Sequence, residues 1–185
     1  MASGQGFAPA QHNLATSYTG GDGVEQDFDQ AIKWFIAAAD QGFARSRYTL
    51  GKMYSYGLGV AKDDKLAFKW IRQAAEAGNV RAQYNLGKIY RDGIGTEVDL
   101  TQSVKWYRMA AESGYDKAQA GLGQRYALGQ GVAKDYVQAL FWTTLAANQG
   151  LERAVKKRKN LMSHMSPADI AAAHKLAADW HPASK

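Results

Sequence analysis

The chain has 185 residues, of which 46% are hydrophobic, so it can bury a core and is not predicted to be disordered. A formal net charge of +6 is well below that of a dedicated nucleic-acid-binding arm. The absence of cysteine excludes disulfides, cysteine nucleophiles and thiolate metal sites. No run of about 18 apolar residues is present, so no membrane insertion is predicted.

Residues 1–6 have neither the charged nor the apolar region of a secretory signal. We expect them to be a disordered start or residues added for expression. If a signal peptide has been removed here, the protein is periplasmic or secreted; otherwise it is cytoplasmic. The sequence leaves the compartment open.

From residue 7 onward the sequence repeats itself every 36 residues. The repeated columns are Leu14, Leu50, Leu86 and Leu122; Tyr18, Tyr54, Tyr90 and Tyr126; Trp34, Trp70, Trp106 and Trp142; and Gly42, Gly78, Gly114 and Gly150. This periodicity predicts four uninterrupted units, at residues 7–42, 43–78, 79–114 and 115–150.

Each unit is predicted to form two helices. The first has one narrow apolar stripe, made in the second unit by Leu50 and Tyr54, and ends at a Gly-x-Gly turn. An aspartate such as Asp63 is then placed to cap the second helix. The predicted buried face of the second helix alternates large and small residues, in the first unit Ala31, Trp34, Ala38 and Ala39. One such hairpin cannot bury its apolar face alone, so we expect the units to stack.

Residues 151–185 break the period and are predicted to be C-terminal capping helices and a tail. One helix is expected over residues 151–164, and a second begins after Ser166, a plausible N-cap. The second helix has an apolar face predicted to cover the last repeat, formed by Ile170, Ala173, Leu176, Ala177 and Trp180.

The 36-residue pattern resembles the Sel1-like repeat, a relative of the tetratricopeptide repeat. The second unit shows it almost complete, with Leu50, Gly51, Tyr54, Gly57, Gly59, Val60, Asp63, Ala67, Trp70, Ala74, Ala75 and Gly78. Small departures, such as Ser46 where other units have Ala82 and Ala118, affect packing only. The resemblance implies an all-α, right-handed α/α superhelical solenoid whose first helices line a concave surface. It also implies a scaffold or adaptor for other proteins.

No catalytic residue, metal site or cofactor is predicted, and we expect the chain not to be an enzyme. The Gly-x-Gly turns follow helices rather than strands, which favours helix caps over phosphate-binding loops. The four histidines lack metal-ligand spacing, so they are expected to face solvent or pack in the cap: His12, His164, His174 and His181.

A candidate binding site lies on the first helices of the two middle units. Arg45, Tyr48 and Lys52 are spaced to share one helix face, and the trio returns 36 residues later. The second trio is Arg81, Tyr84 and Lys88, followed by Arg91. The resemblance places these residues in the concave groove, where they are predicted to bind an acidic or C-terminal peptide segment of another protein. A solvated face copied by duplication is the alternative.

Two other functions stay open at this stage. One is an envelope-associated protein that binds or hydrolyses peptidoglycan or another glycan. The other is a nucleic-acid binder using the basic run at residues 156–159, which lacks interleaved aromatic residues and is therefore not favoured. The partner's identity, the pathway and the oligomeric state are not predicted.

Overall fold

The computed structural model describes residues 7–182. Within that range the chain forms ten α-helices and no strand, so the predicted all-α class is confirmed. The helices are α1 (Ala8–Gly20), α2 (Phe28–Asp40), α3 (Ala44–Tyr56), α4 (Asp64–Glu76), α5 (Val80–Asp92), α6 (Leu100–Glu112), α7 (Asp116–Leu128), α8 (Tyr136–Asn148), α9 (Glu152–Met162) and α10 (Pro167–Ala178). The expectation for residues 1–6 lies outside the described residues. None of the described helices is both long enough and apolar enough to cross a membrane.

The first eight helices alternate between two kinds, and local sequence signals set their ends. α1, α3 and α7 stop at a glycine in the left-handed conformation, where a Cβ would be strained. Each second helix starts at an aspartate whose Oδ1 accepts a backbone N–H three residues later, at 2.9–3.0 Å. The predicted capping residues Asp27, Asp63, Asp99 and Asp135 are thus confirmed.

The second glycine of the Gly-x-Gly turn contacts the preceding repeat. A Cβ built on Gly95 would overlap the backbone carbonyl of Asp64, and one on Gly131 would overlap that of Leu100. In both cases the partner is the first residue of the second helix one repeat earlier. Because both glycines also have positive φ, 72° and 74°, conformation and packing both require glycine there.

In α3, α5 and α7, one side chain of the helix forms a hydrogen bond with the second helix of the preceding repeat. Arg47 Nε donates to the Ala39 carbonyl at 3.0 Å, and Gln83 Nε2 donates to the Ala75 carbonyl at 3.3 Å. Gln119 Nε2 makes the equivalent bond to the Ala111 carbonyl at 3.3 Å. These bonds add a second donor to carbonyls at the ends of the preceding second helices, each of which also accepts the backbone N–H of the closing glycine.

The chain divides into two compact units. The first comprises the described residues up to Leu86 together with Ile94–Glu97, and the second comprises Gly87–Gly93 together with the described residues from Val98 onward. The core of the first unit contains Ala15, Ala31, Phe35, Ala39, Leu50 and Met53. The second unit buries Tyr107, Leu122, Leu140 and Ala146 almost completely.

The buried face of α2 differs from the predicted one at its large residue, whereas Trp142, in the same column of α8, is buried at 4% exposed. Phe35 is 1% exposed, whereas Trp34 is only partly buried and packs at the edge of the core. Including Trp34 in the central buried face was therefore wrong. The central buried face of α2 is formed by Ala31, Phe35 and Ala38. Trp34 precedes Phe35 by one residue and therefore points away from the middle of this face.

α9 and α10 pack against α8 in the second unit. Ala154 of α9 joins Ala146 and Ala147 in a buried cluster, and Trp180 meets Trp142 edge to face at 6.5 Å between ring centroids. Leu176 was predicted on the buried face but is 43% exposed. It lies to one side of the stripe that α10 presents through Ile170, Ala173 and Ala177.

Candidate functional site

Five of the seven predicted contact residues belong to the first unit, and we call them the basic strip: Arg45, Tyr48 and Lys52 of α3 with Arg81 and Tyr84 of α5. The three cationic side chains are exposed, and the two tyrosines are half-buried. The charged groups are thus accessible to solvent, while the two aromatic rings are partly packed against neighbouring residues.

The side chain of Asn85 joins the two helices that carry the basic strip. Its Nδ2 donates to the Tyr48 hydroxyl at 2.8 Å. Because Tyr48 lies on α3 and Asn85 on α5, this bond fixes the tyrosine relative to the neighbouring helix. Asn85 was not predicted, since the preceding repeat has Thr49 at the same position and the column gives no periodic signal.

The cations of the basic strip are not used in ion pairs inside the described chain. Neither Arg45, Lys52 nor Arg81 lies within 4.0 Å of a carboxylate among residues 7–182. Lys52 Nζ lies 5.5 Å from the centroid of the Tyr56 ring, a cation–π distance. Their charges are therefore available to an acidic ligand.

Lys88 and Arg91, the other two predicted contacts, belong to the second unit. Arg91 Nε and Nη2 donate to the two Asp92 carboxylate oxygens, each at 2.6 Å, and Nη1 donates to the Tyr107 hydroxyl at 3.4 Å. The hydrogen bond from Arg91 lowers the pKa of Asp92, burial opposes this, and the charges of Arg91, Lys88 and Arg125 lower it further. Unlike the cations of the basic strip, Arg91 already has a carboxylate partner.

His12 differs from the expected solvent-facing or cap-packed histidine. It is 6% exposed, its Nδ1 is 2.9 Å from Ser46 Oγ, and its ring packs 5.2 Å from Phe35 and 5.3 Å from Phe43. In the sequence it is noted only as one of four histidines without metal-ligand spacing. Among the described residues, no group of three or more potential ligands is arranged to hold a metal ion.

Successive helix–turn–helix units built on one residue pattern define this protein as an α-solenoid repeat protein. The chain belongs to the Sel1 repeat family, whose pattern matches residues 8–43, 44–79, 80–115 and 116–151. The resemblance inferred from the sequence is thus confirmed. Among curated proteins, none matches the chain.

Solved structures with the same fold include family members. A Sel1 repeat protein from Oxalobacter formigenes is 38% identical with a TM-score of 0.80, over 85% of this chain and 46% of its own. The protective antigen c5321 of uropathogenic Escherichia coli, which has an SLR fold, is 28% identical with a TM-score of 0.54, over 94% and 45%. The immunity protein Pa5087 of Pseudomonas aeruginosa is 26% identical with a TM-score of 0.52, over 94% and 66%.

The chain spans about half the length of the first two of these proteins. Sel1 repeat proteins generally mediate protein–protein interaction, and the family is generally a non-catalytic scaffold. The family therefore points to protein partners for this chain, and the described surface has to supply the chemistry that recognises them.

Proposed function

We propose that the chain is a non-enzymatic adaptor that holds an acidic or C-terminal peptide segment of another protein in its concave groove, against the basic strip. Lys88 and Arg91, which belong to the second unit, are the other two proposed contact residues. The observation that carries the proposal is the set of three exposed cations without an ion pair in the described chain, on the two helices that the Tyr48–Asn85 hydrogen bond joins.

The chemistry of these side chains suits an acidic peptide. A guanidinium such as that of Arg45 or Arg81 pairs a carboxylate through two parallel hydrogen bonds. A tyrosine ring offers a large contact area with few rotatable bonds, and Tyr48 is already oriented by Asn85. Less entropy is lost when a peptide binds such a preorganised surface.

The test is a charge reversal on the basic strip. The Arg45→Glu/Arg81→Glu variant should lose the partner proteins that the wild-type chain captures by crosslinking from its source cell lysate. With a partner so identified, the affinity of its peptide should fall at least about tenfold at low salt, because attraction becomes repulsion. The experiment should be run at pH 8, where His12, which is electrostatically coupled to Arg45, is neutral.

The matched control is Lys33→Glu/Lys69→Glu, which makes the same change in net charge on exposed positions of the second helices α2 and α4. Circular dichroism should show that both variants remain folded. Capture lost with the first variant and kept with the control supports the proposal. Equal capture by both variants and the wild type removes the basic strip as the binding surface.

A further inference from the structure

In the second unit, the ring of Tyr107 packs against two helices at positions occupied by glycine. The side chain is 1% exposed. A Cβ built on Gly87 of α5 would lie 2.9 Å from Tyr107 Cδ1, and one built on Gly121 of α7 would lie 3.3 Å from Cε1. Both helices therefore approach this ring closely, and in both cases the nearest ring atoms are Cδ1 and Cε1.

One turn beyond each glycine is an arginine. Arg91 follows Gly87 by four residues and Arg125 follows Gly121 by four, so each arginine shares the helix face that touches the Tyr107 ring. Arg91 Nη1 donates to the Tyr107 hydroxyl at 3.4 Å. Arg91 thus contacts the hydroxyl of this tyrosine, and Arg125, on the other helix, interacts electrostatically with it.

Arg125 occupies a position that is apolar in the second and third repeats and is Ser17 in the first. The equivalent residues, Met53 and Ile89, are 3% and 7% exposed, and Arg125 is 5% exposed. Its Nε is shielded from solvent and has no hydrogen-bond partner among residues 7–182. Nor does any carboxylate in this described range lie within 4.0 Å of its guanidinium.

The charges around Arg125 are unbalanced. Burial lowers the pKa of Arg125, Tyr107 raises it, Arg91 lowers it further and Asp92 raises it. The groups that act on one another here are thus three cations, Lys88, Arg91 and Arg125, and one anion, Asp92, whose two oxygens are held by Arg91. A buried guanidinium without its own counterion is destabilising, and an apolar residue of similar size is generally more stable there.

We propose that Arg91 and Arg125 form an anion subsite that takes one carboxylate of the bound peptide. The carboxylate enters beside Arg91, whose side chain is 32% exposed, exchanges with Asp92 and extends toward Arg125. It supplies the counterion that Arg125 lacks and restores the charge balance. The source of the carboxylate, an acidic side chain or a chain terminus, rests on the proposed function, whereas the subsite itself can be tested with small peptides.

The test follows the side-chain Nε–H signal of Arg125 by NMR in the ¹⁵N-labelled full chain. The probes are acetyl-Gly-Asp-Gly-amide with only a side-chain carboxylate, acetyl-Gly-Gly-Gly with only a terminal one, and neutral acetyl-Gly-Asn-Gly-amide, at equal ionic strength. At least one carboxylate probe should shift the signal saturably and the neutral probe should not. No saturable shift with either carboxylate probe overturns the proposal.

Two variants separate binding from a structural role. Arg125→Met should weaken binding of the carboxylate probe at least tenfold, measured by the NMR signal of Arg91 Nε–H. The same variant should raise the unfolding temperature by about 2–4 °C, since methionine fills the equivalent position in the second repeat. Asp92→Asn should strengthen binding because it removes the internal competitor. A lower unfolding temperature with unchanged affinity in Arg125→Met makes Arg125 purely structural and overturns the proposal.

The NMR test of the anion subsite is independent of the basic strip. The Arg45→Glu/Arg81→Glu variant should leave the Arg125 response to the probes intact. If the charge-reversed variant loses partner capture and the Arg125 signal of the wild type does not respond to the probes, the adaptor function stands and the subsite is wrong. If Arg125 responds while partner capture ignores the charge reversal, the subsite stands and the basic strip is wrong.

Discussion

At the residue scale, a histidine in the core of the first unit accounts for a departure from the repeat pattern. Ser46 stands where the following repeats have Ala82 and Ala118, and its hydroxyl is 2.9 Å from the ring nitrogen of His12. His12 itself is enclosed by Phe35 and Phe43. The serine therefore satisfies a buried imidazole, which would otherwise carry the cost of an unpaired polar group.

The free energy of unfolding of the chain should decrease as the pH is lowered, because of His12. Burial lowers the pKa of His12 and the charge of Arg45 lowers it further, so the folded chain binds this proton less readily than the unfolded chain, whose histidine has a pKa of 6.5. The stabilisation is complete above pH 6.5 and is lost as the pH falls through the lower folded pKa. Urea unfolding at stepped pH should show a slope of up to about 1.4 kcal/mol per pH unit.

The comparison is with two single variants. His12→Gln, which stays neutral, should flatten this slope, whereas His174→Gln, at an exposed position, should keep the wild-type profile. Identical slopes for His12→Gln and the wild type would show that another group carries the pH dependence.

Residue-scale features divide into those the sequence predicts and those it cannot. The spacing of Arg45, Tyr48 and Lys52 predicts a shared face, because helix geometry alone decides it. The pairing of Arg91 with Asp92 depends on rotamers and burial, which no spacing encodes. Arg125 lies between these two cases, since comparison with Met53 and Ile89 in the 36-residue register shows a charge where the two preceding repeats have an apolar residue.

At the element scale, two kinds of glycine turn separate the helices. Gly131, in the turn between a repeat's two helices, has a φ of 74°, and a Cβ built on it would overlap the Leu100 carbonyl of the preceding repeat. Gly150, at the end of a repeat, has a φ of 85° and no atom near the position a Cβ would take. The first turn is therefore limited by packing as well as by conformation.

Alanine substitution should separate these two costs. Gly150→Ala should destabilise by about 1–2 kcal/mol, the cost of a left-handed residue with a Cβ. Gly131→Ala should cost roughly 1–3 kcal/mol more, because the added methyl overlaps backbone that cannot move independently. Urea unfolding of both variants measures the difference, and equal losses would mean that the neighbouring helix yields to the methyl.

Helix ends are the best-predicted elements because their signals are local. The aspartate caps and left-handed glycines follow from side-chain chemistry within a few residues. The choice between Trp34 and Phe35 as the buried residue was not predicted correctly. Adjacent residues differ by a rotation of about 100° around the helix, and neighbouring elements fix that rotation.

At the scale of the whole molecule, each repeat is stabilised chiefly by itself and its neighbours in the array. Phe35→Ala should cost about 3–5 kcal/mol, since Phe35 is a fully buried side chain of the first unit. We expect hydrogen exchange, followed by mass spectrometry, to accelerate in α1, α2 and α3 and to stay slow in α7 and α8. Leu140→Ala, at a fully buried position of α8, should give the opposite pattern.

Uniform acceleration along the chain in either variant would show that the chain unfolds as one cooperative block.

The fold class was predictable because three signals agree. The repeat period gives the number of units, the caps and apolar stripes within each unit predict a helical hairpin, and the family resemblance implies the solenoid. The period does not encode which of its surfaces binds a partner, since duplication copies surface and core residues alike.

The closing turns have a practical consequence for handling this protein. At Gly42, Gly78 and Gly150 there is open space where a side chain would begin, while Gly59, Gly95 and Gly131 of the later Gly-x-Gly turns touch the second helix of the preceding repeat. An epitope tag, a fluorophore or a grafted loop therefore belongs at a closing turn, where added chain meets solvent. The same insertion beside Gly95 or Gly131 would separate the turn from the helix that it contacts.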